Sequence, residues 1–101
     1  MDLSQEEWKS QFEADQNSFL LDVRTSEEFE EGHIPNSTLL DIRQAAAFIE
    51  GIQSLDPSKN YYVYCRSGAR SAQACQLMNQ IGIDTTYNLL GGFMEWDEAS
   101  A

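Results

Sequence analysis

No run of apolar residues in this 101-residue chain approaches the roughly 20 that cross a bilayer, so no spanning helix is expected. Basic residues are scarce: six Lys and Arg against 17 Asp and Glu give a formal net charge of −11. That balance argues against nucleic acid as a partner, because phosphate binding needs basic patches. It equally disfavours an anionic membrane surface, and its plain consequence is solubility. Two cysteines do not make a disulfide scaffold, and they fall short of the about four clustered ligands of a zinc site. The first residues, Met1-Asp2-Leu3-Ser4-Gln5-Glu6-Glu7, offer neither a basic nor an apolar leader region. No signal peptide is therefore expected, and the expected compartment is a reducing cytoplasm. Repeats, low-complexity tracts and linkers are absent too, which leaves one domain over residues 1–101. At 42% hydrophobic and 11% aromatic, the chain can support a core without metals or disulfides.

What is present reads as alternating strands and helices. Ser4 with Glu7 three residues later forms a capping box, and the helix that follows runs to about Ala14 with Trp8 and Phe12 on its core face. Phe19 to Val23 is apolar apart from Asp22, as in a strand buried on both faces. Ser26 is expected to cap a short acidic helix from Glu27 to Glu31, which Gly32 ends. His33-Ile34-Pro35-Asn36-Ser37 is loop, and Thr38 to Leu40 a short strand. Ile42 to Leu55 is helical by composition, with Ala45, Ala46, Phe48, Ile49 and Ile52 apolar. Tyr61 to Tyr64 is a third strand, Ser71 to Ile81 a helix stopped at Gly82, and Thr86 to Leu90 a fourth strand. Phe93 to Ala99 is expected to close the chain as a helical segment. This order is that of an α/β fold: a mainly parallel sheet of four to five short strands flanked by helices on both faces.

The chemistry concentrates in one run, Cys65-Arg66-Ser67-Gly68-Ala69-Arg70-Ser71. It follows the strand Tyr61 to Tyr64 and opens a helix, and ligands of open α/β sheets bind beyond the carboxyl ends of strands. Ser67, Gly68 and Ala69 are small, so the backbone can curl around the sulfur with its N–H groups inward as an anion nest. The helix N-terminus adds its dipole, and Arg66 and Arg70 bring two of the six basic residues of the chain. Each effect favours thiolate over thiol, so Cys65 is expected to ionise below the ordinary range. The expected roles are nucleophile for Cys65 and anion binding for Arg66 to Ser71.

Three pieces in this order resemble a single-domain rhodanese, a sulfurtransferase fold, over about Ser4 to Ala99. They are Leu21-Asp22-Val23-Arg24 with Glu27-Glu28-Phe29; Gly32-His33-Ile34-Pro35-Asn36-Ser37; and the Cys65 loop with Leu90-Gly91-Gly92-Phe93 and Trp96. The resemblance implies a persulfide mechanism without a cofactor. Cys65 would take the outer sulfur of an anionic donor such as thiosulfate and pass it to a thiol, a protein or, in assays, cyanide. The loop amides would cradle the persulfide, Arg70 would close the loop on the anion, and Arg66 would face the pocket mouth. Related phosphatases place five residues between cysteine and arginine; here four, Arg66 to Ala69, lie between Cys65 and Arg70. The tighter ring disfavours phosphatase or arsenate reductase chemistry. A sulfur-relay or binding module fed by a protein partner is the main alternative.

The remaining polar residues read as support. Asp22 would be costly unpaired in an apolar strand and is expected to anchor a buried pair with Arg24. The resemblance gives His33, the only histidine, a structural role. Cys75, ten residues beyond Cys65 on the apolar side of a helix, lies too far down for a disulfide and is read as core. Gly91-Gly92 is read as a turn that lets Phe93 and Trp96 pack near the site. The acidic cluster Glu27, Glu28, Glu30 and Glu31 is expected to be a solvated face. Nothing calls for a metal, and monomer is the default state.

Overall fold

A computed structural model describes residues 1–97. In chain order its elements are β1 (Asp2–Leu3), α1 (Gln5–Ala14), β2 (Ser18–Asp22), α2 (Ser26–Glu31), β3 (Thr38–Leu39), α3 (Ala45–Gln53), β4 (Asn60–Tyr64), α4 (Ala69–Gln80) and β5 (Thr86–Leu89), followed by a 3₁₀ turn at Phe93–Glu95. The sheet has five strands in the order β1-β5-β4-β2-β3, and every pairing is parallel. β4 lies at its centre, in register with β2 from Ser18↔Asn60 to Asp22↔Tyr64.

Period-2 alternation in β4 builds a core on each face of the sheet. Tyr61, Val63 and Cys65 pack with Phe48 and Ile52 of α3 and with Ala74, Cys75 and Met78 of α4. Tyr62 and Tyr64 pack with Trp8 of α1, Ile34 and Leu89. Helices therefore cover both faces, and β4 reads as a continuous apolar run because neither face meets water. Trp8 is the largest fully buried side chain; its indole N–H donates to the Tyr87 carbonyl at 3.1 Å.

Several boundaries differ from the sequence reading for local reasons. Thr25, not Ser26, caps α2: its hydroxyl accepts from the Glu28 amide while Glu28 reaches back to the Thr25 amide. The Ser4–Glu7 box at α1 has the same reciprocal form. α4 starts at Ala69, two residues before the expected Ser71, because Gly68 adopts a left-handed conformation (φ 106°) and serves as its N-cap. α3 is shorter than Ile42 to Leu55, and Ala45 and Ala46 point to solvent. Ile81, expected as the last residue of this helix, is exposed, and α4 ends at Gln80. β1 was not anticipated: two residues carry no periodicity, and the strand exists only because it pairs with β5 at Asp2↔Asn88 and Leu3↔Leu89. The terminal helix reduces to the Phe93–Glu95 turn, and its expected end at Glu98 and Ala99 lies outside the described residues. Among the described residues, no helix is long and apolar enough to cross a membrane.

Candidate active site

Cys65 follows the last residue of β4, and α4 begins four residues later. The side chain is 1% exposed, at the bottom of the loop that carries it. Its Sγ accepts the Gly68 amide at 3.1 Å and lies 3.4 Å from the Ser71 hydroxyl. Burial pushes the thiol up, but hydrogen bonds from the Ser71 hydroxyl and from the amides of Ser71, Gly68 and Ser67 outweigh it and hold Cys65 below its ordinary value. Dipoles of the curled backbone and one hydroxyl thus favour the charged sulfur. Cys75 has the opposite balance: burial raises its thiol, against a weaker opposing bond with Thr86. It packs in the core among the α4 side chains. Both cysteines are free thiols.

A second segment braces the loop from beneath. The Phe93 amide donates to the Cys65 carbonyl at 2.8 Å, and the Met94 amide to the Arg66 carbonyl at 2.9 Å. Gly92 makes this approach possible, because a Cβ there would collide with the Arg66 carbonyl. Gly91-Gly92 is thus a backbone contact point with the Cys65 loop.

The two loop arginines differ. Arg66 is exposed and lines an open cleft of about 440 Å³ with Arg24, Glu28, Glu31, Gly32, Phe93 and Met94. Arg70 is already partnered: Nη1 meets Glu28 Oε1 at 2.8 Å and Nη2 meets Oε2 at 2.9 Å. This bidentate pair holds the Glu28 carboxyl at about 2, with the Arg70 hydrogen bonds as the first cause. Glu28 therefore does not belong to a solvated face: it joins α2 to the start of α4. Its signal in the sequence was the capping box with Thr25, which fixes where its carboxylate sits.

Asp22 and Arg24 form a buried ion pair beside the site, with Nη2 to Oδ2 at 2.7 Å. Arg24 Nη2 also donates to the Gly32 carbonyl at 2.7 Å, and its guanidinium lies 4.5 Å from the Phe93 ring centroid. The pair thereby ties β2, the end of α2 and the bracing segment together. His33 Nδ1 donates to the Phe29 carbonyl at 2.9 Å, and its ring stacks on Phe29 at 3.7 Å. The next residue, Ile34, donates its amide to the Tyr64 hydroxyl at 3.1 Å.

Of the loop residues, Ser67, Gly68 and Ser71 supply hydrogen bonds to the sulfur, and Ala69 is the exposed first residue of α4. Sequence reasoning missed Asn88. It lies 2% exposed on β5, with Oδ1 against the Ser71 hydroxyl and Nδ2 donating to the Gly68 carbonyl at 3.2 Å. An asparagine inside a buried strand is unusual enough to have marked it. Among the described residues, no group of three or more His, Cys, Asp or Glu is placed to hold a metal ion.

Comparison with known proteins agrees with this geometry. Residues 4–99 match the family described as Rhodanese-like domain. YtwF of Bacillus subtilis is 37% identical over 89 residues, which cover 88% of this chain and 82% of that protein. The thiosulfate sulfurtransferase GlpE of Shewanella oneidensis is 34% identical, over 81% of this chain and 78% of its own. A crystal structure of a rhodanese-like domain protein from Staphylococcus aureus superposes with a TM-score of 0.84 at 29% identity, covering 99% of this chain and 95% of the other.

Proposed function

This chain belongs to the rhodanese-like domain family, and on that premise we propose that it is a sulfurtransferase that carries sulfur as a persulfide on Cys65. The Cys65 thiolate attacks the outer sulfur of an anionic donor such as thiosulfate. The new bond forms at Sγ, the sulfur–sulfur bond of the donor breaks, and sulfite leaves with the electron pair. An acceptor nucleophile, a thiol, a protein thiolate or cyanide, then attacks the outer sulfur and Cys65 departs as thiolate. No separate base is written for this step, because the attacking species is the thiolate that the loop hydrogen bonds favour.

The observation that carries this reading is the Gly68 amide at 3.1 Å from Sγ, in a loop whose hydrogen bonds favour the charged sulfur. A tight ring supports sulfur over phosphoryl or arsenate chemistry: four residues separate Cys65 from Arg70. The Glu28–Arg70 pair supports a second reading, in which the sulfur comes from the persulfide of a protein partner. With Arg70 neutralised, Arg66 remains as the charge to draw a small dianion, and a persulfide donor depends on that charge less.

Incubation with thiosulfate, followed by intact mass measurement, tests the proposal. The expected product is one added sulfur atom, removed by cyanide and absent from Cys65→Ser. An adduct that persists in Cys65→Ser means another nucleophile. No adduct from thiosulfate, but one from a protein persulfide, assigns the relay role.

A further inference from the structure

The Ser71 hydroxyl lies between two acceptors. Its oxygen is 3.4 Å from Cys65 Sγ and within hydrogen-bonding distance of Asn88 Oδ1. A hydroxyl has one proton and can satisfy one of them at a time. All three residues are buried: Ser71 is 0% exposed, Cys65 1% and Asn88 2%. Asn88 cannot turn its amide around to relieve the competition. Its Nδ2 donates to Asp2 Oδ1 at 3.0 Å and to the Gly68 carbonyl at 3.2 Å, and both of those partners only accept. Oδ1 is therefore held toward Ser71.

We propose that Asn88 is a positioning residue that competes with Cys65 for the Ser71 proton and so limits how readily the sulfur ionises. The inference rests on the reading of Cys65 as nucleophile. With a neutral thiol, Ser71 donates to Asn88. When the sulfur ionises, a charge-assisted hydrogen bond draws the proton to Sγ, and a buried Asn88 oxygen gives up its donor. That loss is borne by the thiolate state alone. Once the charge has moved to the outer sulfur of a persulfide, the same oxygen takes the proton back. β1 takes part through Asp2, which holds the Asn88 amide in this orientation.

Among the described residues, the charged groups on elements around the loop are Asp2 on β1, Asp22 and Arg24 at the end of β2, Glu28 and Glu31 on α2, Asp41 after β3, Arg66 in the loop, Arg70 on α4 and Glu95 in the bracing turn. Arg70 is in electrostatic contact with Cys65. Replacing Asn88 removes a hydrogen bond from Asp2 alone among them, so Asp2→Asn is the control, and a change in Cys65 ionisation beyond that control reports the Ser71 proton.

The test is the pH profile of Cys65 alkylation by iodoacetamide, followed at that residue by mass spectrometry, in the full chain. Asn88→Leu should raise the ionisation constant about fivefold, the equivalent of one neutral hydrogen bond, moving the profile to lower pH. A merely structural Asn88 moves it the other way, because loosening Gly68 takes its amide off the sulfur. In a Ser71→Ala background the Asn88→Leu effect should vanish. A profile that is unmoved or moved to higher pH overturns the proposal. Should Asn88→Leu not fold, Asn88→Ala takes its place with the same expected move to lower pH, and an unmoved or raised profile again overturns the proposal. Alkylation needs no sulfur donor, so failure of Cys65 to form a persulfide counts against the nucleophile reading and not against this one.

Discussion

Replacing Gly92 by alanine should unseat the Cys65 loop, and the cost can be worked from three contributions. The Gly92 backbone has φ 60° and ψ −164°, a region essentially restricted to glycine, where another residue costs about 1–3 kcal/mol. The new methyl would also run into the Arg66 carbonyl and the Ser67 amide nitrogen, which are backbone atoms with no rotamer to yield. Relief requires the Phe93–Glu95 turn to back away from the loop. That move sacrifices the Phe93 amide bond to the Cys65 carbonyl (2.8 Å) and the Met94 bond to the Arg66 carbonyl (2.9 Å), each worth about 1 kcal/mol net. The sum is about 3–5 kcal/mol, a large share of the roughly 5–15 kcal/mol that holds a domain of this size folded. Urea unfolding monitored by tryptophan fluorescence measures it, and the midpoint should fall with the slope unchanged. Gly68→Ala is the comparison within the same loop. Its φ of 106° is also left-handed, but the nearest atom a Cβ would meet is the Leu89 carbonyl at 3.3 Å. It should cost about 1–2 kcal/mol, chiefly the left-handed penalty, since relieving that contact takes a shift of only a few tenths of an ångström. A Gly92→Ala loss below about 1 kcal/mol, or one no greater than that of Gly68→Ala, would refute the claim that close approach of two backbones holds the loop.

Two further outcomes follow from the charge pairs. Glu28 is lowered from its ordinary 4.5 to about 2 in the fold, so its pairing stabilises fully above pH 4.5 and is lost as pH falls through 2. Glu28→Gln should flatten the acid limb of stability across that window and leave the slope near neutrality unchanged; equal acid limbs in urea titrations at stepped pH count against the pair. Asp22→Ala should cost about 3–5 kcal/mol, because it strands the Arg24 guanidinium in a site where Arg24 is 4% exposed. A thermal midpoint within a few degrees of the parent would mean that water reaches the guanidinium, at about 4–8 °C per kcal/mol for a chain of this size.

Much of the architecture was legible from neighbours in sequence. Tyr61 to Cys65 states its strand and its two buried faces within five residues, since period-2 alternation and an unbroken apolar run are local properties. The Ser4–Glu7 box, whose two members stand three residues apart, marks the start of α1. The Cys65 loop was legible for the same reason: a strand end, small residues, a glycine and a helix start in one run. At α2 the same box rule separates two neighbouring hydroxyls, since Glu28 lies three residues after Thr25 but Phe29 lies three after Ser26. Residue type could not announce β1, whose two residues are a strand only against β5.

By itself, the sequence determined the α/β order, the family resemblance, the candidate nucleophile and the ring of residues around it, all through patterns within a few positions of one another. The partners of those residues were decided by the tertiary structure. Glu28 meets Arg70 across 42 positions, Asn88 meets Ser71 across 17, and Asp2 meets Asn88 across 86. Whether a loop arginine is free for an anion, and which acceptor holds a serine proton, depends on what the sheet brings alongside. A parallel sheet joins strands far apart in the chain, so those pairings are written in its strand order and not in any local motif.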